Sequence, residues 1–508
     1  MSLKDTIEES ARRFPQKTCV AYEGERLSFD DMNRRANRFA HALREVAGVA
    51  PGDRVGLLVK NSPAFIEALY AVLKLSATVV PINIFLAPPE VAFILADCGV
   101  KVLIVSGDFL PVVPALRGQA DALEHVIALD GAADGVLRRD ELVRGRSHDN
   151  PAVEVADTDD AMFLYTSGTT GLPKAAMLTH ANFLANVSSC RRAVQLVPDD
   201  SFLLALPMFH SFSLTVNVLL PVAAGCTIVL LESVHPLEKL LAALVEQGPT
   251  IFAGVPALYA VFCRTALPPE IVSRLKLRVC ISGSAPLAEA TLVEFENRFP
   301  IPLLEGYGLS EAAPVVSLNP LDGTRKTRSI GLPLPDVEIA VFDDDDRPVP
   351  TGEPGELVVR GPNVMKGYDN RPDETAAALR GGWLHTADVA RLDEDGYAFI
   401  LDRKKDLIIS KGMNIYPREI EEALHHHPKV AEAAVVGVAD KHMDEVPVAH
   451  VMLADGEVAE ASELIEHLKS RLAAYKIPRR IHFVREFPRT PAGKILKREL
   501  RTVAQREA

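Results

Sequence analysis

Between residues 202 and 231 the chain carries no formally charged side chain. A stretch that apolar has to be hidden from water, in lipid or between layers of protein. Asn217, Pro221 and Gly225 interrupt it, and His210, Ser211 and Ser213 sit badly in hydrocarbon. The pattern predicts a buried strand, a helix and a second strand, and no transmembrane span. The same texture recurs elsewhere. Segments 54–59, 78–81, 101–106, 161–165 and 278–282 read as short buried strands, while 30–46 and 63–75 carry helical patterns. Strands alternating with helices predict layered α/β architecture.

From 337 onward the texture changes to short β segments with polar turns, at 337–342 and 356–360. The acidic run 343–346 between them reads as a solvated hairpin tip. The five consecutive charges at 402–406, D-R-K-K-D, mark a linker, and beyond them helical (417–425, 461–472) and strand (430–438) patterns predict a small α+β unit. A chain of 508 residues exceeds one typical domain. The expected fold is α/β: a large N-terminal domain (1–402) of layered α/β subdomains plus a β-rich subdomain, a hinge (403–406), and a small mobile α+β C-terminal domain (407–508). Residues 1–150 offer no site residue and are expected to be scaffold.

A formal charge of −13 argues against a general nucleic-acid binder. Six scattered cysteines without C-x-x-C or zinc spacing predict reduced, buried thiols. Charged residues near the start (Lys4, Asp5, Glu8, Glu9, Arg12, Arg13) take the place of an apolar signal core, so a cytoplasmic location is expected. The run His425-His426-His427 is not a metal site, because consecutive helical side chains point about 100° apart. It is expected at the surface.

Chemistry concentrates in a few places. Residues 166–174 read T-S-G-T-T-G-L-P-K directly after an apolar strand. Glycines free backbone N–H groups to turn toward an anion, hydroxyls add donors, and Lys174 adds charge, so this is a phosphate cradle. It lacks the G-K-[ST] ending of a Walker A loop. At 283–286 a strand runs into G-S-A-P, open backbone against which a flat ligand can lie. In L-L-E-G-Y-G-L-S-E (303–311) two glycines flank Tyr307, whose face can stack on a purine, and Glu311 is a hard oxygen ligand suited to Mg²⁺. T-A-D (386–388) offers a carboxylate for ribose hydroxyls, and P-A-G-K ends at Lys494 in a basic tail.

Taken together and in this order, these segments, with D-R-K-K-D and S-K-G-M-N-I-Y-P, resemble the adenylate-forming superfamily of acyl-CoA synthetases, peptide-synthetase adenylation domains and firefly luciferase. The resemblance spans residues 10 to 500. It implies that Thr166, Ser167, Gly168, Thr169, Thr170 and Lys174 hold the β- and γ-phosphates of ATP, with Glu311 and Thr166 at Mg²⁺. It implies that Gly283, Ser284, Glu305, Gly306 and Tyr307 line the adenine, with Ser310 nearby, and that Asp388 and Arg403 bind ribose. Lys494 would reach the carboxylate and the α-phosphate, and His210 would floor the acyl pocket. Lys405 matches the hinge about which the small domain swings, bringing Lys411 and Gly412 to the site for thioester formation with CoA.

Amino-acid activators of this family carry Asp beside a Phe, where this chain has Phe209-His210, and malonate activators carry Arg where Gly306 stands. The implied substrate is therefore a monocarboxylic acid with an uncharged acyl or aryl tail, in a pocket near Phe209, His210, Phe212, Val255 and Leu309. CoA is the expected acceptor, a separate carrier protein the alternative. A homodimer stays open. A nucleotide-binding paralogue without activity would have lost Lys494 or Glu311, and both are present.

Overall fold

The structure is a computed structural model and describes the chain except residues 168–172, 266, 411–412, 441–443, 490–494 and 507–508, and the side chains at 167, 405 and 444. Among the described residues the strands form four sheets. The local rules are simple. The helix Phe29–Glu45 starts where the Ser28 hydroxyl accepts the Asp31 N–H and the Asp31 carboxylate accepts the Ser28 N–H, each at 3.0 Å. Met32, Ala36, Phe39 and Leu43 recur at helical spacing and are fully buried, so one face packs inward.

Two large sheets build the first part of the chain. The eight-stranded sheet has a parallel centre, Thr78–Pro81, Arg54–Leu58, Val100–Val105 and His125–Ala128. Asp160–Ser167 joins it in parallel beside Thr78–Pro81. That strand turns back antiparallel into Pro173–Thr179, which pairs in turn with Gly367–Tyr368. The nine-stranded sheet runs parallel from Thr18–Tyr22 through Thr227–Leu230, Ser201–Leu204, Ile251–Gly254 and Val279–Ser282 to Leu303–Gly308. Its far edge, Val315–Leu318 and Leu332–Pro333, is antiparallel. The strand, helix and strand expected from the uncharged stretch are Ser201–Leu204, the helical run 211–224 and Thr227–Leu230. The helical run widens into a π turn over Leu214–Leu219.

The third sheet is antiparallel throughout: Glu338–Phe342, Gly355–Arg360, Leu384–Leu392 and Ala398–Arg403. A 3₁₀ turn at Lys404–Asp406 leads to a smaller C-terminal domain. Its sheet pairs Met413–Ile415, Ile408–Ser410, Asp444–Leu453 and Val430–Asp440, with Arg480–Phe483 parallel to Asp444–Leu453. Ile420, Leu424, Leu464 and Leu468 from two helices cover one face with Val435 and Val451. Leu500 and Ala504 cover the other with Val436 and Phe487.

Three expectations change. The helix expected over 461–472 stops at Lys469. The histidine run is at the surface only for His426: the helix Pro417–His425 ends there, and the chain turns His427 into a buried position, its ring 4.9 Å from that of His467. The acidic tip is exposed but not purely solvated, since Asp346 pairs with Arg380 at 2.9 Å and Asp344 with Lys404 at 3.1 Å. Among the described residues no helix is long and apolar enough to cross a membrane.

Candidate active site

The carboxyl ends of both large sheets open toward one region, as ligand sites of open α/β sheets do. From the eight-stranded sheet comes the hairpin that brackets the T-S-G-T-T-G-L-P-K segment. Its register pairs Thr166 with Lys174 and Ser167 with Pro173, so both ends of the loop are fixed by the strand ladder. The expected loop residues Gly168, Thr169 and Thr170 lie outside the described residues, as do Lys411, Gly412 and Lys494.

Thr166 meets Glu311 across the gap between sheets, its hydroxyl donating to Oε1 at 3.2 Å. The same oxygen accepts from the Tyr368 hydroxyl at 3.0 Å. Lys174 lies over the face of Tyr368, 4.3 Å from the ring centroid. Tyr368 is buried and belongs to the strand that pairs with Ala176 and Met177, so the sheet ladder itself delivers it. Sequence reasoning missed this residue, because a lone tyrosine almost two hundred positions past the loop carries no signal of that pairing. Glu311 and Thr166 offer a carboxylate and a hydroxyl, the hard oxygens that Mg²⁺ takes, so the residues present fit that ion.

The nine-stranded sheet supplies the opposite wall. Tyr307 donates its hydroxyl to Asp388, and the other Asp388 oxygen faces Arg403 Nε at 3.2 Å. Asp388 and Arg403 are cross-strand partners in the third sheet, which explains why a T-A-D and a D-R separated in sequence share one spot. Burial first, and then the Asp388 carboxylate, raise the Tyr307 phenol well above its ordinary range.

The glycines flanking Tyr307 also face a close backbone neighbour. A Cβ on Gly308 would stand 2.3 Å from the Pro314 carbonyl oxygen, and one on Gly306 3.0 Å from that of Ser317. The neighbouring segment Pro314–Leu318 thus leaves no room for a side chain at Gly308 and little at Gly306, whatever ligand approaches the other side. Glu305 is buried, and its Oε1 accepts the Leu287 N–H at 3.0 Å, which ties down the Gly283–Leu287 turn. Burial pushes its carboxyl up to about 7 against the opposing pull of Arg418. In that turn Ser284 holds a left-handed backbone at φ 69°. Phe212 packs on the turn, within 3.2 Å of where a Gly283 Cβ would lie.

His210 sits at the start of the helical run, its Nδ1 accepting the Phe212 N–H at 3.3 Å. Ser211 and Ser310 join their hydroxyls at 3.1 Å, linking this turn to Glu311. Residues 1–150 do more than support. Buried Asn61 donates to the Leu206 carbonyl at 2.9 Å and accepts the Met208 N–H at 2.8 Å, holding the turn before His210. Phe85 stands edge-on to Phe209, ring centroids 6.1 Å apart, and is 59% exposed.

The sequence model of AMP-binding enzymes matches residues 7–369, and that of the AMP-binding enzyme C-terminal domain matches residues 419–494. The chain belongs to the AMP-binding enzyme family. Among its relatives in that family, a feruloyl-CoA synthase of an Amycolatopsis species is 39% identical over 97% of this chain and 96% of its own length. A long-chain-fatty-acid–CoA ligase of Bacillus subtilis is 35% identical over 98% of this chain and 94% of its own. A solved anthranilate CoA ligase in complex with anthranoyl-AMP superposes with a TM-score of 0.92 at 29% identity, covering 100% of this chain and 98% of that one. These adenylate-forming relatives share the large N-terminal and smaller C-terminal domains.

Proposed function

We propose that this enzyme is an ATP-dependent acid–CoA ligase for a monocarboxylic acid with an uncharged acyl or aryl tail. It would form acyl-AMP with release of pyrophosphate and then pass the acyl group to CoA. The observation that carries the proposal is the convergence of Thr166 and Glu311 with the Tyr307, Asp388 and Arg403 group at the carboxyl ends of the two sheets. One is suited to a metal-bound triphosphate and the other to a nucleoside. The relatives are named as CoA synthases or ligases of feruloyl, fatty-acid and anthranilate type, in accord with this.

The difficulty of the first step is electrostatic, since a carboxylate oxygen attacks an α-phosphate that is itself an anion. A magnesium ion held by Glu311 and Thr166 would neutralise charge on the triphosphate. The protein's own part is to hold the reacting groups in line. The hairpin 166–174 takes the phosphates that leave, Asp388 and Arg403 fix the ribose, and Lys494 meets the charge that builds at the α-phosphate. The turn 206–210, anchored by Asn61, presents an uncharged wall to the acid tail. We read 1–402 and 407–508 as the two domains and 403–406, with Lys405, as the hinge between the two half-reactions. Lys411 and Gly412 are assigned to the thioester step. The free, buried cysteines support a cytoplasmic location.

A panel of fatty and aryl acids with ATP and Mg²⁺ tests the proposal. Pyrophosphate and AMP should appear, with turnover dependent on CoA. ADP in their place overturns it. Acyl-AMP accumulation with no response to CoA moves the activity to carrier-protein loading.

A further inference from the structure

A buried carboxylate outside the nucleotide site touches both that site's support and the turn between domains. Glu356 lies on the strand Gly355–Arg360, whose pairing with Leu384–Leu392 slips register between Glu356 and Val358. Irregularities of this kind re-aim side chains next to active sites. Glu356 is 4% exposed and its carboxylate gathers donors from three directions. Oε1 accepts the Ala387 N–H at 3.0 Å. Oε2 faces His385 Nδ1 at 3.1 Å, Arg380 Nη2 at 3.2 Å and Lys404 Nζ at 3.1 Å. Next to it, the Leu357 carbonyl accepts the Thr386 hydroxyl at 2.7 Å, and that hydroxyl oxygen accepts the Asp388 N–H at 3.1 Å.

The 386–388 turn is therefore fastened at two points by one strand. It needs fastening, since Ala387 holds a left-handed φ of 58°, which residues with a Cβ adopt only where their surroundings impose it. The reach of Asp388 toward Tyr307 and Arg403 depends on that turn. At the other end of the cluster, Lys404 bridges Glu356 and Asp344, each at 3.1 Å, within the 3₁₀ turn Lys404–Asp406 that leaves the third sheet.

We propose that Glu356 is a positioning residue that couples Asp388 to the orientation of the hinge, through Ala387 on one side and Lys404 on the other. The inference rests on reading Asp388 as a ribose-binding group and 403–406 as the hinge. Nucleotide bound at Asp388 favours the turn that Glu356 holds, and so favours the orientation in which Lys404 completes the cluster. By linkage the hinge acts back on nucleotide affinity to the same extent.

The test uses Glu356→Ala, Glu356→Gln, Lys404→Met and the Gln/Met pair in the full chain. Two quantities are read: the KM for ATP against kcat in pyrophosphate exchange, and the ATP-induced change in chymotryptic cleavage near the hinge. Glu356→Ala removes the acceptor for Ala387 and should raise the KM for ATP by about tenfold with a smaller change in kcat. Glu356→Gln keeps an acceptor oxygen but loses the charge. It should therefore abolish the ATP effect on cleavage and raise the KM only by the coupling that is lost, less than Glu356→Ala does, as should Lys404→Met. The pair should be no worse than either single change, the mark of a shared interaction. A Glu356→Ala enzyme with the wild-type KM for ATP, or Gln and Met effects that add independently, overturns the inference alone. Wild-type protein that binds no ATP overturns it together with the functional reading.

Discussion

Replacing Tyr368 by phenylalanine removes one oxygen and leaves the ring. In the structure that oxygen donates to Glu311 Oε1 at 3.0 Å, sharing it with Thr166 at 3.2 Å. Two donors on one carboxylate oxygen fix how the other is presented, which is what a metal-binding carboxylate needs. A hydrogen bond to a charged acceptor is worth about 1.5–3 kcal/mol net when buried. Glu311 is only partly buried and keeps its Thr166 donor, so the low end applies. About 1.4 kcal/mol corresponds to about a tenfold loss of affinity. The loss should appear for ATP with Mg²⁺ and not for ATP alone, because the ring that carries Lys174 is untouched. Tyr368→Leu removes that ring as well. The lost cation–π contact between partly exposed Lys174 and the buried ring, about 1 kcal/mol, should weaken nucleotide binding with or without the metal. Calorimetric titration of each variant with ATP, in the presence and absence of Mg²⁺, separates the two effects. A Tyr368→Phe protein that binds Mg²⁺–ATP within about twofold of wild type refutes the reasoning. So does one that loses metal-free binding as much as the leucine variant.

Two other perturbations follow from the same geometry. Burial raises the Glu305 carboxyl from its ordinary 4.5 to about 7. Between these values the folded chain holds a proton that the unfolded chain has released, so stability falls as pH rises through this window. The full cost, on the order of 3 kcal/mol, is present above it. Glu305→Gln keeps an acceptor for Leu287 and cannot ionise. Its melting midpoint should exceed wild type at pH 8 and match it near pH 4, and a lower midpoint at pH 8 would show that the ionised form is stabilised by Arg418 after all. Lys494→Ala should abolish acid-dependent pyrophosphate exchange while sparing thioester formation from supplied acyl-AMP; equal loss of both half-reactions counts against its assigned place.

The layered α/β architecture was legible because buried parallel strands read as short uncharged runs, as at 202–206 and 279–282. The candidate loop at 166–174 was legible for a local reason, since strand, glycines and lysine are contiguous. Glu311, Tyr307 and Asp388 could be named from their motifs, yet nothing in the sequence says that Tyr307 donates to Asp388, because that contact crosses from one sheet to another. Tyr368, Asn61 and Glu356 were invisible for the same reason. Each acts through a backbone or carboxylate partner that only the strand order brings near, and none sits in a run of unusual composition. The glycines at 306 and 308 could be found, but not the crowding they meet from the carbonyls of Ser317 and Pro314, which only the strand pairing brings near. His427 shows the reverse error. A polar side chain read as surface is buried because the helix ends two residues before it.

The central claim is that a carboxylate oxygen of the acid attacks the α-phosphate of ATP and that CoA then takes the acyl group. Supplying a turned-over acid labelled with ¹⁸O in both carboxylate oxygens, and reading the products by mass spectrometry, tests it at the level of the bond formed. The account predicts one labelled oxygen in AMP and the other in the thioester carbonyl, with unlabelled pyrophosphate. Label in inorganic phosphate alongside ADP, or AMP free of label, would contradict it.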